Sequence, residues 1–127
     1  MSNTEAKHGN KDSIETNEDL YKVFYWYQKT AENGNTNAQY NLALSYYNGE
    51  GTEKNLEKAL FWYQKAAENE CELAQYNLAV LYYDGEGTEK NLEKAFYWYQ
   101  KAAEYGCEIA QYNLALLYKK VKEQKRI

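Results

Sequence analysis

Apolar residues recur along this chain at one spacing. From Leu56, the residues Leu56, Ala59, Leu60, Tyr63, Ala66 and Ala67 fall at i, i+3, i+4 and i+7 intervals, the stripe of an amphipathic helix. A second stripe, Ala74, Leu78, Leu81 and Tyr82, ends at Asp84-Gly85-Glu86-Gly87-Thr88. No stretch alternates with period two and no β-branched run occurs, so strands are not expected. The two stripes alternate and predict six helices, over about 18–33, 37–48, 55–69, 72–84, 91–105 and 108–123. Asn55 and Asn91 stand at N-cap positions. Gly34 and Gly106 supply a left-handed residue that closes two of the first-type helices. The middle copy has Asn69-Glu70 there, and Asn69 is the residue expected to take positive φ, at a cost of about 1 kcal/mol relative to glycine. Gly49 and Gly85 end the second-type helices, and Gly51 and Gly87 let the chain turn.

Self-comparison shows that these elements are copies. Leu20, Leu56 and Leu92 are 36 residues apart, as are Trp26, Trp62 and Trp98. Leu56–Tyr82 returns almost unchanged as Leu92–Tyr118, and a weaker copy begins at Leu20. A period of this size means stacked units, none of which can bury its apolar face alone. The expected fold is an all-α solenoid of helix-turn-helix repeats over residues 17–119. A polar, disordered segment (1–16) is expected before it and a basic tail (120–127) after it.

Composition narrows the function. The chain has 127 residues, 15 Lys+Arg against 19 Asp+Glu and a net charge of -4. Five of the bases lie in the last nine residues, which leaves 10 bases against 18 acids, a net -8, over Met1 to Tyr118. That balance argues against a nucleic-acid or anionic-membrane partner. No apolar run approaches the length of a membrane span and no secretory h-region opens the chain, so cytoplasm or nucleus is the expected compartment. The one histidine, His8, offers no material for a metal site or a Ser-His-Asp triad. Asp84-Gly85-Glu86-Gly87-Thr88 fails as a phosphate cradle, lacking the Gly-Lys-Ser/Thr that must follow, and as a calcium loop, with Ala95 where a bidentate Glu is needed. Cys71 and Cys107 hold equivalent places one repeat apart, too far for a disulfide, and read as small apolar filler. No catalytic residue, cofactor or metal is expected.

The chain resembles the Sel-one-like repeat family, α-solenoids related to tetratricopeptide repeats. The family pattern A-x-x-x-L-x-x-x-Y-x-x-G-x-G is matched by Ala38, Leu42, Tyr46, Gly49 and Gly51, and again by Ala74, Leu78, Tyr82, Gly85 and Gly87. Its K-A-x-x-W-Y-x-K-A-A half is matched by Lys58, Ala59, Trp62, Tyr63, Lys65, Ala66 and Ala67, and by Lys94, Ala95, Trp98, Tyr99, Lys101, Ala102 and Ala103. The resemblance implies a right-handed superhelix that serves as an adaptor or scaffold, without catalytic residues. A hydrolase branch among cysteine-rich secreted relatives would be marked by paired cysteines inside each repeat, which this sequence lacks. The third unit departs from the pattern, with Lys119-Lys120-Val121-Lys122-Glu123 in place of the turn.

A helical wheel sets Tyr40, Tyr47, Tyr76, Tyr83 and Tyr112 opposite the core stripe of the second-type helices. Asn41, Asn77 and Asn113 lie beside them. Tyrosine offers large contact area with a hydrogen-bonding tip, so these eight residues are the candidate groove for a peptide or partner helix. The competing reading is that the tyrosines are core and the asparagines bond a neighbouring helix. The tryptophans read as inter-repeat packing, and Tyr25, Phe61 and Tyr97 as exposed on the outer face. Leu114, Leu117 and Tyr118 repeat a buried pattern with no following helix to cover them. A second copy on this C-terminal face, forming a two-fold homodimer, is the expected remedy. The function predicted is a non-catalytic protein–protein interaction module. The alternative is a self-associating structural or regulatory fragment of a larger signalling protein with no peptide ligand of its own.

Overall fold

Among the described residues, four of the six helices have the same length, 13 residues. The computed structural model describes residues 18–125. Its helices are α1 (18–32), α2 (Thr36–Asn48), α3 (Leu56–Glu68), α4 (Glu72–Asp84), α5 (Leu92–Glu104) and α6 (Glu108–Lys125). Asn55 and Asn91 cap α3 and α5, their side chains accepting from the backbone N–H of Lys58 and Lys94, each at 3.0 Å. Asn35 does the same for α2, taking the N–H of Ala38 at 2.8 Å. Cys71 fills the equivalent place before α4 and makes no side-chain cap bond.

The first-type helices α1, α3 and α5 end in one motif. In each, the residue after the cap donates to a carbonyl three residues back and the next residue to one five back: Gly34 and Asn35, Glu70 and Cys71, Gly106 and Cys107. The pair of bonds fixes which residue turns left-handed. In the middle copy it is Glu70, at φ 67°, and not Asn69, whose φ is -94°. The expectation for Asn69 is therefore corrected: Glu70 sits 36 residues from both Gly34 and Gly106, and the position outweighs residue preference.

Consecutive helices pack on one another, α2 on α3, α3 on α4, α4 on α5 and α5 on α6. The core is built of small residues and leucine, with Leu42, Ala43, Ala59, Ala66, Ala74, Leu78, Ala79, Ala95 and Ala102 wholly buried. The fold is an all-α solenoid of helix-turn-helix repeats. The segment 1–16, expected to be disordered, lies outside the described residues. Of the segment set apart as a basic tail, residues 120–125 prolong α6.

Candidate functional site

Two clefts of one design open between the second-type helices. The first lies between α2 and α4 and has a volume of about 170 Å³, lined by Leu44, Tyr47, Asn48, Tyr63, Asn77, Val80 and Leu81. The second lies between α4 and α6, about 210 Å³, lined by Tyr83, Tyr99, Asn113, Leu116, Leu117 and Lys120. Apart from Leu44, Asn48 and Lys120, the linings correspond position by position at a spacing of 36. Tyr63 and Tyr99 are the buried tyrosines of α3 and α5, while Tyr47 and Tyr83 are half-exposed.

Four of the five candidate tyrosines divide into two pairs. Tyr40 and Tyr76 are half-buried and tilt against Tyr63 and Tyr99, with ring centres 6.0 and 5.9 Å apart. Their hydroxyls accept from Asn77 Nδ2 and Asn113 Nδ2, each at 3.4 Å. These tyrosines and asparagines thus tie one repeat to the next. Asn41 is half-exposed at the equivalent place of the first copy, and Tyr112 on α6 is exposed. Tyr47 and Tyr83 carry the polar character of the clefts. The Tyr47 hydroxyl faces the Glu86 carboxylate at 3.3 Å and its ring lies under Lys54. Tyr83 lies likewise under Lys90, but its hydroxyl accepts from Lys120 Nζ at 3.4 Å. The two clefts therefore share a lysine over the tyrosine ring and differ at its hydroxyl, with Glu86 at the first and Lys120 at the second.

Burial governs the phenols. It pushes Tyr99 up to about 12, with neighbouring Tyr76, Asp84 and Tyr83 adding to the effect. Tyr63 is raised further by the same cause. Tyr40 is raised by burial against the opposing bond from Asn77, and Tyr47 by burial together with Glu86 and Asp84. All are neutral hydrogen-bonding groups near pH 7.

Sequence reasoning missed two wider clefts on the other side of the first-type helices. One, of about 620 Å³, is lined by Ala31, Glu32, Gly34, Gln39, Trp62, Lys65, Glu68 and Asn69. Its repeat, about 370 Å³, includes Glu70, Gln75, Tyr97, Trp98, Lys101 and Tyr105. Gln39 and Gln75 hold these turns by donating to the carbonyls of Ala31 and Ala67. Gln39 Oε1 accepts from Asn69, whereas Tyr105 at the corresponding place leaves Gln75 Oε1 buried without a partner. The recurring Gln at 39, 75 and 111 was the available signal. Trp98 is buried, Trp62 half-buried and Trp26 exposed. Tyr25, Phe61 and Tyr97 are exposed, each meeting the next tryptophan edge to face at 4.9–5.1 Å.

On the C-terminal face, Leu117 is corrected. It lies beside Tyr83 and Tyr99 in the second cleft and is only 8 % exposed, Leu114 is half-buried, and of the three residues predicted to be uncovered only Tyr118, at 54 %, is exposed. Among the described residues no cluster of His, Cys, Asp and Glu is arranged to hold a metal ion, and no helix is long and apolar enough to cross a membrane. Cys71 and Cys107 are both free thiols.

A helix-turn-helix unit repeated every 36 residues, with paired clefts at the same period, defines a helical-repeat solenoid of the tetratricopeptide-like class. The Sel1 repeat model matches residues 18–35, 36–71, 72–107 and 109–120, and the chain belongs to that family. It is similar to the crystal structure of a Sel1 repeat protein from Oxalobacter formigenes, with 43% identity over 75% of this chain and 39% of that one, and a TM-score of 0.73. It is also similar to c5321, a protective antigen of uropathogenic Escherichia coli strains displaying an SLR fold. There the identity is 31% over 76% of this chain and 21% of that one, with a TM-score of 0.75. Helicobacter pylori cysteine rich protein B shares the fold at 23% identity, covering 80% of this chain and 90% of that one, with a TM-score of 0.66. The chain thus spans well under half of the first two structures. Comparison with curated proteins gave no match. Sel1 repeat proteins are generally protein-interaction modules and typically non-enzymatic scaffolds.

Proposed function

We propose that this chain is an adaptor that holds a peptide or partner helix along the face of α2, α4 and α6, seating one apolar side chain in each of the two clefts. The observation that supports this most is their equivalence. Two apolar recesses with polar tyrosine edges, one repeat apart, present the same chemistry twice, as a surface would that reads side chains at a fixed interval. Glu86 beside the first recess and Lys120 beside the second give the ligand a direction, a basic group at one end and an acidic group at the other. The work is done in the cytoplasm or nucleus, and no reaction is catalysed.

Tyr47 and Tyr83 are better handles than Tyr40 and Tyr76, whose rings and hydroxyls join repeats. A Tyr47→Ala/Tyr83→Ala variant is expected to stay helical and to lose the partners that the wild type captures. Phe61→Ala/Tyr97→Ala, on the outer face, keeps them. Loss only with the outer-face variant would move the binding surface there.

A further inference from the structure

Inside the chain each second-type helix receives the first-type helix that follows it. α2 takes α3 and α4 takes α5 through the same groups: Tyr40 against Tyr63, Tyr76 against Tyr99, and Lys58 and Lys94 reaching over Tyr46 and Tyr82 at 5.5 and 5.3 Å. Asn91 N–H donates to the Tyr82 carbonyl at 2.8 Å, so the start of the incoming helix lies at the end of the receiving one.

α6 and α1 each carry one half of such a joint, uncovered among the described residues. On α6, Tyr112 (66 %), Leu116 (45 %) and Tyr118 (54 %) are exposed. Ala115 is exposed too, where its counterparts Ala43 and Ala79 are wholly buried. Val121 and Glu123 stand at the places of Gly85 and Gly87, so α6 runs straight on to Lys125 and makes no turn to lay a further helix on this face. α1 carries the complementary half. Val23, Trp26 and Tyr27 line an open apolar cleft of about 660 Å³ on the side that α3 and α5 turn toward α2 and α4.

We propose that the two halves pair between molecules: α6 of one copy receives α1 of the next, head to tail, rebuilding across chains the joint of α4 with α5. The repeat spacing then sets Tyr27 against Tyr112 and Lys22 over Tyr118. It also brings Glu18 and Asp19, at the start of α1, to Lys119 and Lys122 near the end of α6, opposite charges on the two halves. A two-fold pairing of α6 faces would cover one exposed face and leave α1 bare, whereas the head-to-tail contact covers both. Val23 and Thr30 replace the alanines of α3 and α5 (Ala59 and Ala66, Ala95 and Ala102), so this joint is wider than the internal ones and reversible. Being heterologous, it continues into a ring or an open string of copies.

Light scattering after size exclusion, from micromolar to submillimolar protein, tests this with two variants whose changes fall on exposed residues. Val23→Glu/Trp26→Glu blocks the α1 half, and Tyr112→Glu/Leu116→Glu the α6 half. Wild type should gain mass with concentration, each variant should remain a monomer of native helicity, and their mixture should give a one-to-one pair through the two intact halves. A second set guards against misfolding. Lys119→Glu/Lys122→Glu should weaken assembly, and mixing it with Glu18→Lys/Asp19→Lys should restore it. A wild type monomeric at every concentration overturns the proposal, as does a folded α1 variant that still dimerises, which would mark two-fold pairing of α6. Mixtures that stay monomeric in both sets overturn it as well.

Discussion

Glu70 occupies a backbone conformation that glycine holds in the two sister copies. Its N–H donates to the Ala67 carbonyl and that of Cys71 to Ala66, both at 3.1 Å, and the two bonds are compatible only with a left-handed residue at 70. An L-residue with a Cβ costs about 1–2 kcal/mol there. The side chain returns little: Glu70 lies beside the exposed Tyr105 hydroxyl, raising its pKa, in a setting where water screens the interaction. Glu70→Gly is therefore expected to stabilise the fold by about 1 kcal/mol, raising Tm by roughly 4–8 °C. Thermal unfolding followed by circular dichroism decides it, and an unchanged or lower Tm refutes the account. Residue preference alone pointed to Asn69. The hydrogen-bond frame, visible in sequence only as the spacing 34, 70, 106, chose its neighbour.

Among the elements, the loops after α2 and α4 are the tightest fit. A Cβ on Gly87 would lie 2.5 Å from the Leu56 carbonyl oxygen and 2.8 Å from its carbon, backbone atoms that cannot swing aside, and φ there is 74°. Gly87→Ala should cost about 2–4 kcal/mol, combining the left-handed penalty with overpacking. Gly106 has φ 93° and open space around it, so Gly106→Ala should cost only the conformational part, about 1–2 kcal/mol. Urea midpoints of the two variants, compared with wild type, test the difference, and equal losses would show that the close approach contributes nothing. Helix positions and the caps at Asn55 and Asn91 were legible because they depend on local spacing. The division of the tyrosines was not. A helical wheel treats Tyr40 and Tyr47 alike, but which of them meets Tyr63 and which faces Glu86 depends on the stacking of three helices. Leu117 was misjudged for a related reason: the pattern it shares with Leu81 does not say that it turns into the cleft lined by Tyr83 of α4 and Tyr99 of α5.

At the scale of the whole molecule, each helix leans on its chain neighbours, so stability is a sum of units and joints. The units at the two ends have fewer joints. Amide exchange should accordingly be slowest in α3, α4 and α5 and fastest in α1 and in residues 119–125 of α6, where the side chains are mostly exposed. Exchange read by NMR that slowed uniformly over all six helices would mean one cooperative block.

The position-by-position match of the two clefts has a consequence for how such a chain changes length. A duplication or deletion of any 36-residue stretch, Leu56 to Asn91 for instance, starts and stops at equivalent points and leaves every surviving joint of a kind the chain already makes. One gene-level slip then adds or removes a single cleft at fixed pitch. On the proposed function, the span of ligand would be counted in whole repeats and inherited in steps, without a single side chain having to be reinvented.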